Sequence, residues 1–374
     1  MSNQDAAYRD AGSGYADVTI GVSSVTKAFA TTVIGSMPKP PWLLERRAMN
    51  DPTADHHGKG ADWLPAPDLL PQAQDDACRL AIHDQERAGV DIISDGEQRR
   101  KSYLTYITMQ LSGIDYGRTV PKLARNGRRT IQAGRVTGPI RREGPLLKDD
   151  LLFLMREAAA PVKITLPGPM TVWDTVADEH YGDARALALD YAAAINGEAR
   201  ELDALGPAVI QFDEPVFSRY PALVAEWGIE ALDRCLEGLA TRTAVHVCYS
   251  YPLPGVARPI QDSYPVILEE LEKSRADCIA LEFEASGLDP SLLRLCPSKT
   301  VIFGCIDNGN ETPETPEHVA RKLLAAAEHH PPEKIQAAPD CGLVPLGRES
   351  ACAKLDALVR GARIARERVA GGTE

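Results

Sequence analysis

Eight short apolar runs, each four or five residues long, punctuate this chain, and longer amphipathic stretches separate most of them. The runs fall at 31–34, 90–94, 162–166, 208–212, 244–247, 278–281, 300–303 and 335–338. Helical periodicity fills 74–88, 184–205, 224–239, 266–274, 316–328 and 349–369. Parallel neighbours in a sheet need a crossover connection, so runs that alternate with helices predict a parallel sheet. Eight such units predict an α/β fold, a single (βα)8 TIM barrel over residues 27–374. An open doubly wound sheet is the rival, but no Gly-rich phosphate loop follows the first run, which leaves dinucleotide binding unsupported.

Two stretches interrupt the alternation. Residues 116–142 are basic and contain glycines, and they read as a β-hairpin insertion beside the barrel mouth. Residues 49–70 are rich in Asp, His, Gly and Pro and read as a long loop after the first strand. His56 and His57 in that loop are weak metal candidates. Residues 1–26 hold no persistent period and are expected to be a flexible N-terminal arm without a catalytic role.

A formal charge of -12 with no Lys/Arg-rich block argues against nucleic acid or an anionic membrane as partner, since both need a positive patch. A small-molecule substrate is favoured. The N-terminus has no basic start followed by an apolar stretch, and no run of eighteen apolar residues occurs, so a cytoplasmic protein is expected. The eight cysteines are scattered, which suits a reducing compartment, and most should be buried apolar fillers.

Barrel enzymes carry their reactive groups on the loops after the strands, so the residues that follow each run matter most. They are unusually polar. Gly35-Ser36, Asp95-Gly96-Glu97, Pro167-Gly168-Pro169 and Asp213-Glu214-Pro215 follow the first four runs. These ends can bind a zwitterion. The later four end in His246-Val247-Cys248, Glu282, Asp307 and Pro339-Asp340-Cys341. In an extended segment His246 and Cys248 point to the same side, so both can reach one ion. A Glu and a second Cys at the same end of two later strands strengthen a zinc site of His246, Cys248, Glu282 and Cys341, because core cysteines have no reason to obey that rule. Zinc held by two thiolates suits activation of another thiol more than production of hydroxide, so alkyl transfer onto sulfur is favoured over hydrolysis.

At these residues the sequence resembles the catalytic barrel of cobalamin-independent methionine synthase, and more closely the short single-barrel core methionine synthases of that family. The likeness covers about residues 28–370. It is carried by Thr32-Val33-Ile34-Gly35-Ser36, Ser94-Asp95-Gly96-Glu97, Leu166-Pro167-Gly168-Pro169-Met170-Thr171, Ile210-Gln211-Phe212-Asp213-Glu214-Pro215, His246-Val247-Cys248-Tyr249 and Pro339-Asp340-Cys341-Gly342-Leu343. The resemblance implies a zinc cofactor that binds the sulfur of homocysteine and a methyl transfer that gives methionine. It places His246, Cys248 and Cys341 on ligands and leaves the glutamate contested between Glu282 and Glu284, with the register of 277–281 favouring Glu282. It also places Ser36, Glu97 and Asp213 where the family holds the amino-acid part of homocysteine.

Two departures from the family stand out. The second barrel of the long enzymes, which helps hold the folate, has no counterpart in this length of chain. In the long enzymes a histidine follows the Asp of the seventh strand by two residues, whereas Asp307-Asn308-Gly309 puts glycine there, so an acid role falls to Asp307 or Asp213. The expected partners are homocysteine and a methyl donor, either a methylfolate or a methylcobalamin-like group, with a possible helper protein for the donor. The alternatives are alkylation of another thiol, of the epoxide-to-coenzyme M type, and a hydrolytic or non-catalytic zinc barrel.

Overall fold

The computed structural model describes residues 27–44, 63–127, 129–251 and 260–371; the N-terminal arm and the pair His56 and His57 lie outside them. Ten strands occur among the described residues: β1 (Ala30–Thr31), β2 (Leu111–Ala124), β3 (Arg129–Arg142), β4 (Lys163–Pro167), β5 (Ala177–Asp178), β6 (Val209–Asp213), β7 (Thr243–Val247), β8 (Cys278–Leu281), β9 (Thr300–Gly304) and β10 (Ile335–Ala338). Seven of them form one sheet in the order β1-β10-β9-β8-β7-β6-β4, and every pair is parallel. The sheet curls. Its two edges both reach the run at 90–94, because Thr32 bridges Ile92 and Ile93 bridges Val162. That run therefore makes single bridges rather than a ladder, and Asp91 and Ile92 share one acceptor, the Thr31 carbonyl.

Side chains alternate across the strands with period two, which sorts them into two cores. Inside the curl small residues such as Ala244, Cys278, Ala280 and Ala338 pack with Ile34 and Ile302. Toward the helices, larger ones such as Phe212, Val245, Leu281 and Phe303 join the main core. Small interior residues leave room for buried polar side chains, and Lys163 and Gln211 use it. Cys278 is one of the apolar fillers, with burial pushing its thiol up to about 11.

Helices Leu70–Ala88, Ala184–Asp203, Tyr264–Lys273, Pro316–Ala327 and Arg348–Gly371 lie where the periodicity places them, each within four residues at its ends. The stretch 224–239 differs: it opens as a π-helical turn, Val224–Gly228, before the helix Ile229–Leu236. Gly228 sits against Met170, whose sulfur would lie 2.5 Å from a Cβ there. Among the described residues no helix is long and apolar enough to cross a membrane.

The basic stretch is a hairpin, longer than its sequence suggests. β2 and β3 pair antiparallel from Leu111 to Arg142, and β5 adds a short parallel strand. Arg142 anchors its base on the buried Glu198, which also accepts the amides of Leu146 and Leu147. At the tip Arg125 and Asn126 take left-handed backbone angles, φ 54° each. Asp174 accepts the Arg125 amide, and the Tyr220 hydroxyl accepts the Asn126 amide while donating to Asp174. These bonds hold the tip over the C-terminal ends of the curled sheet.

Candidate metal and substrate site

β7 ends at Val247, so His246 and Cys248 stand on the same side at its C-terminal end, and Cys341 follows β10. One potential ligand atom from each of His246, Cys248 and Cys341 lies within 4.8 Å of the others, and all three residues are buried. The two sulfurs are 3.8 Å apart. A tetrahedral ion with Zn–S bonds near 2.3 Å separates two sulfurs by roughly 3.8 Å, so the spacing fits zinc. His246 Nδ1 faces Asp213 Oδ1 at 3.2 Å, while Nε2 is buried without a hydrogen-bond partner. A buried ring nitrogen without a hydrogen-bond partner is what a metal ligand offers.

The Cys341 thiol donates toward Cys248, which holds Cys248 well below the usual thiol range, and the imidazolium of His246 adds to this against burial. Cys341 is correspondingly pushed up, by the same bond and by burial. Burial opposes charge on His246, yet the Cys248 thiolate and Asp213 outweigh it and raise the imidazole to about 10. The backbone supports the thiolate: Ser250 adopts φ 73°, and its amide donates to Cys248 Sγ at 3.3 Å.

The two contested glutamates part company. Glu282 is fully buried, and its Oε2 accepts the amide of Tyr249, the residue after Cys248, at 3.1 Å. Glu284 turns outward to His318 Nε2 at 2.7 Å and Lys322 Nζ at 3.2 Å. Asp340 makes the difference: Oδ1 accepts the amides of Phe283 and Glu284 and Oδ2 that of Ala285, so the chain leaves the strand register after Glu282. The Tyr264 hydroxyl accepts the Glu282 amide and donates to the Val247 carbonyl, joining the ends of β7 and β8.

A cavity opens beside the cluster at the C-terminal ends of the strands. Ser36, Glu97, Asp213, His246, Cys248 and Cys341 all line it, as do four residues the sequence reading did not single out: Tyr103, Arg125, Ser250 and Tyr251. Glu97 sits at φ 55° after Gly96 at φ 65°, a tight turn fastened by the Asp95 carboxylate on the Glu97 amide. A Cβ on Gly96 would lie 2.8 Å from Ala81 Cβ. Thr165 Oγ1 donates to Glu97 Oε1 at 2.7 Å and itself accepts from the buried Arg100. Burial raises the Glu97 carboxyl, with Asp213 adding and Arg100 opposing. Across the cavity Ser36 Oγ and Tyr251 Oη are 3.1 Å apart. Asp307 is not brought to this cavity's lining; its Oδ1 accepts the Gly309 amide at 2.7 Å in a local turn.

A sulfur-rich candidate metal site at the strand ends of a curled parallel sheet, with Glu97 and Asp213 lining the same cavity, fits a thiol-activating transferase. The chain belongs to the cobalamin-independent synthase catalytic-domain family, whose model matches residues 29–364, and it is a methyltransferase of that family. A methionine synthase of Sulfurisphaera tokodaii is 33% identical over 338 residues, 90% of this chain and 92% of that protein. One from Pyrococcus abyssi is 30% identical over 339 residues, covering 90% of this chain and 93% of that protein. The structure of a B12-independent methionine synthase from Shewanella sp. W3-18-1, in complex with selenomethionine, is 36% identical with a TM-score of 0.84, covering 92% of this chain and 99% of that one.

Proposed function

We propose that this chain transfers a methyl group onto the thiol of homocysteine, giving methionine, with zinc held by His246 Nε2, Cys248, Cys341 and Glu282. The observation that carries the reading is the convergence of three buried ligand groups, two of them thiols, beside a cavity that Glu97 and Asp213 also line. When bound, zinc supplies a lowered pKa to a coordinated thiol, so the sulfur stays nucleophilic near neutral pH. Glu282 is assigned as the fourth ligand because its carboxylate is bonded beside Cys248, whereas Glu284 is engaged elsewhere.

The remaining residues hold the amino acid. Glu97 Oε2 and Asp213 Oδ2 have no bonded partner among the described residues and line the cavity, so they take the ammonium in charge-assisted bonds. Ser36 and Tyr251 share one hydrogen between two hydroxyls, which leaves the other to donate to the carboxylate. A thiol without an amino group would leave Glu97 Oε2 and Asp213 Oδ2 without a donor, which disfavours a coenzyme M type substrate. The homocysteine sulfur bonds to the methyl carbon as the bond from that carbon to the donor breaks, and the electron pair leaves with the donor. We place Asp213, rather than Asp307, as the carboxylate nearest that exchange. The donor, a methylfolate or a methylcobalamin-like group, reaches the sulfur through the open mouth of the cavity, and a helper protein that presents it would dock there.

In the same reading the sheet is a (βα)8 barrel in which 90–94 is the second strand, with β2 and β3 as an inserted hairpin. Residues 27–371 then form one catalytic domain, in the cytoplasm. The test is to measure zinc content and methionine formation from homocysteine with each donor. Zinc-bound protein that methylates homocysteine supports the assignment; metal-free protein that methylates equally well would overturn it.

A further inference from the structure

A line of side-chain hydrogen bonds runs through the interior of the sheet, beneath the metal cluster, from β4 to β7. Lys163 is fully buried, and its Nζ donates to the Val33 carbonyl at 2.5 Å and to Gln211 Oε1 at 2.8 Å. Gln211 Nε2 donates to the Ile34 carbonyl at 2.6 Å and to Asp213 Oδ1 at 2.8 Å. The same Asp213 oxygen faces His246 Nδ1.

We infer that Lys163 and Gln211 are positioning residues that fix which nitrogen of His246 carries the hydrogen, and so set how tightly the cluster holds its metal. This rests on the reading of His246 as a ligand through Nε2. An ammonium only donates, so Gln211 must turn its oxygen toward Lys163. Its amide nitrogen then faces two acceptors, the Ile34 carbonyl and Asp213. The opposite flip would set the amide hydrogens against the ammonium and the amide oxygen against two other oxygens, in a buried place where unmade hydrogen bonds are costly. Asp213 Oδ1, held by Gln211, is an acceptor turned toward His246, so Nδ1 carries the hydrogen. Nε2 is left as the ring nitrogen that faces Cys248 and Cys341, and a bound cation takes the place of its proton. The direction of every bond follows from the one group in the line that has no acceptor.

The line also reaches the substrate side. Gln211 ties the carbonyl of Ile34, two residues before Ser36, and Lys163 ties that of Val33. Both walls of the cavity therefore hang on the same two side chains.

Zinc affinity of the full chain, measured by chelator competition, tests the inference together with ¹⁵N spectra of labelled histidine. Gln211→Met and Lys163→Met should each lower zinc affinity about ten- to a hundredfold, the range for groups that orient a metal-bound histidine. The double variant should be no weaker than the worse single one, because both act through one line. Gln211→Glu covers the case in which the methionine variants do not fold. It keeps the volume and an acceptor for Lys163 but removes the N–H that reaches Asp213, so zinc affinity should still fall. In the spectra of the zinc-loaded protein His246 should be the Nδ1–H form in the wild type and a mixture in the variants. A folded Gln211→Glu protein with wild-type affinity and an unchanged His246 signal would overturn the inference. Wild-type protein that binds no zinc would instead remove the ligand assignment and the inference with it.

Discussion

The sulfurs of Cys248 and Cys341 stand 3.8 Å apart although 93 residues separate them in the chain. That distance brings the two sulfurs into contact and fits two ligands of one tetrahedral ion. Purified protein should carry about one zinc per chain. Cys341→Ala and Cys248→Ser should each lose most of it while keeping their fold, as read by elemental analysis beside circular dichroism. Full zinc occupancy in both variants would contradict the ligand set.

Glu282 and Glu284 provide a sharper comparison, since the two carboxylates differ only in where the chain turns. Glu282→Gln should weaken zinc binding by at least about tenfold, as loss of a charged ligand implies. Glu284→Gln should leave zinc in place and act only on its partially buried contacts with His318 and Lys322. The reverse ranking in a chelator titration would sink the assignment.

That turn also shows where sequence reading stops. Period two puts Glu282 and Glu284 on one side of an extended strand, so spacing leaves both open. What separates them is Asp340, whose three backbone contacts cross 55 to 57 residues of chain. The strand ends were legible for the opposite reason: a parallel sheet forces its chemistry onto local, repeating positions, and β8 and β10 fall on 278–281 and 335–338 as the apolar runs do. The run at 90–94 has the composition of a strand, but β1 offers it only two residues to pair with. Tyr251 went unread because its partner Ser36 is 215 residues away. Arg125 reaches the cavity only because Asp174 and Tyr220 pin the hairpin tip, which no periodicity encodes. The short helices Lys148–Glu157 and Pro169–Thr175 span too few turns for a period to emerge.

Glu97 should make substrate use depend on pH. The ammonium needs the ionised carboxylate, and burial, reinforced by Asp213, raises the pKa of Glu97. Sign follows directly: as pH falls through that raised pKa the carboxylate is protonated, so the KM for homocysteine should climb at a pH above the ordinary carboxylate range. Glu97→Gln should raise KM by roughly tenfold to a hundredfold, the size of a lost charged hydrogen bond, and abolish the acid limb while zinc stays bound. Asp213→Asn should also raise KM. A variant Glu97→Gln with the wild-type pH profile of KM would exclude this role.

Gly342 offers a test of the carboxylate side that leaves the ligands untouched. It follows Cys341, yet a Cβ added there would point across the cavity, 2.1 Å from Ser36 Oγ and 3.0 Å from Tyr251 Oη. Its backbone is not in the left-handed region, so alanine is strained by contact alone. In Gly342→Ala the Ser36 hydroxyl must rotate away and lose Tyr251, since the Ser36 carbonyl remains bound to the Leu343 amide at 2.7 Å and the backbone cannot withdraw. Homocysteine KM should rise by roughly tenfold, equivalent to about one net hydrogen bond, with zinc affinity unchanged. Ser36→Ala removes the clash and the hydroxyl together, so the double variant Ser36→Ala/Gly342→Ala should bind homocysteine no worse than Ser36→Ala alone. Steady-state kinetics on the two single variants and the double variant measure this coupling directly. Independent, additive losses would mean that Gly342 serves the cavity by some route other than making room for Ser36.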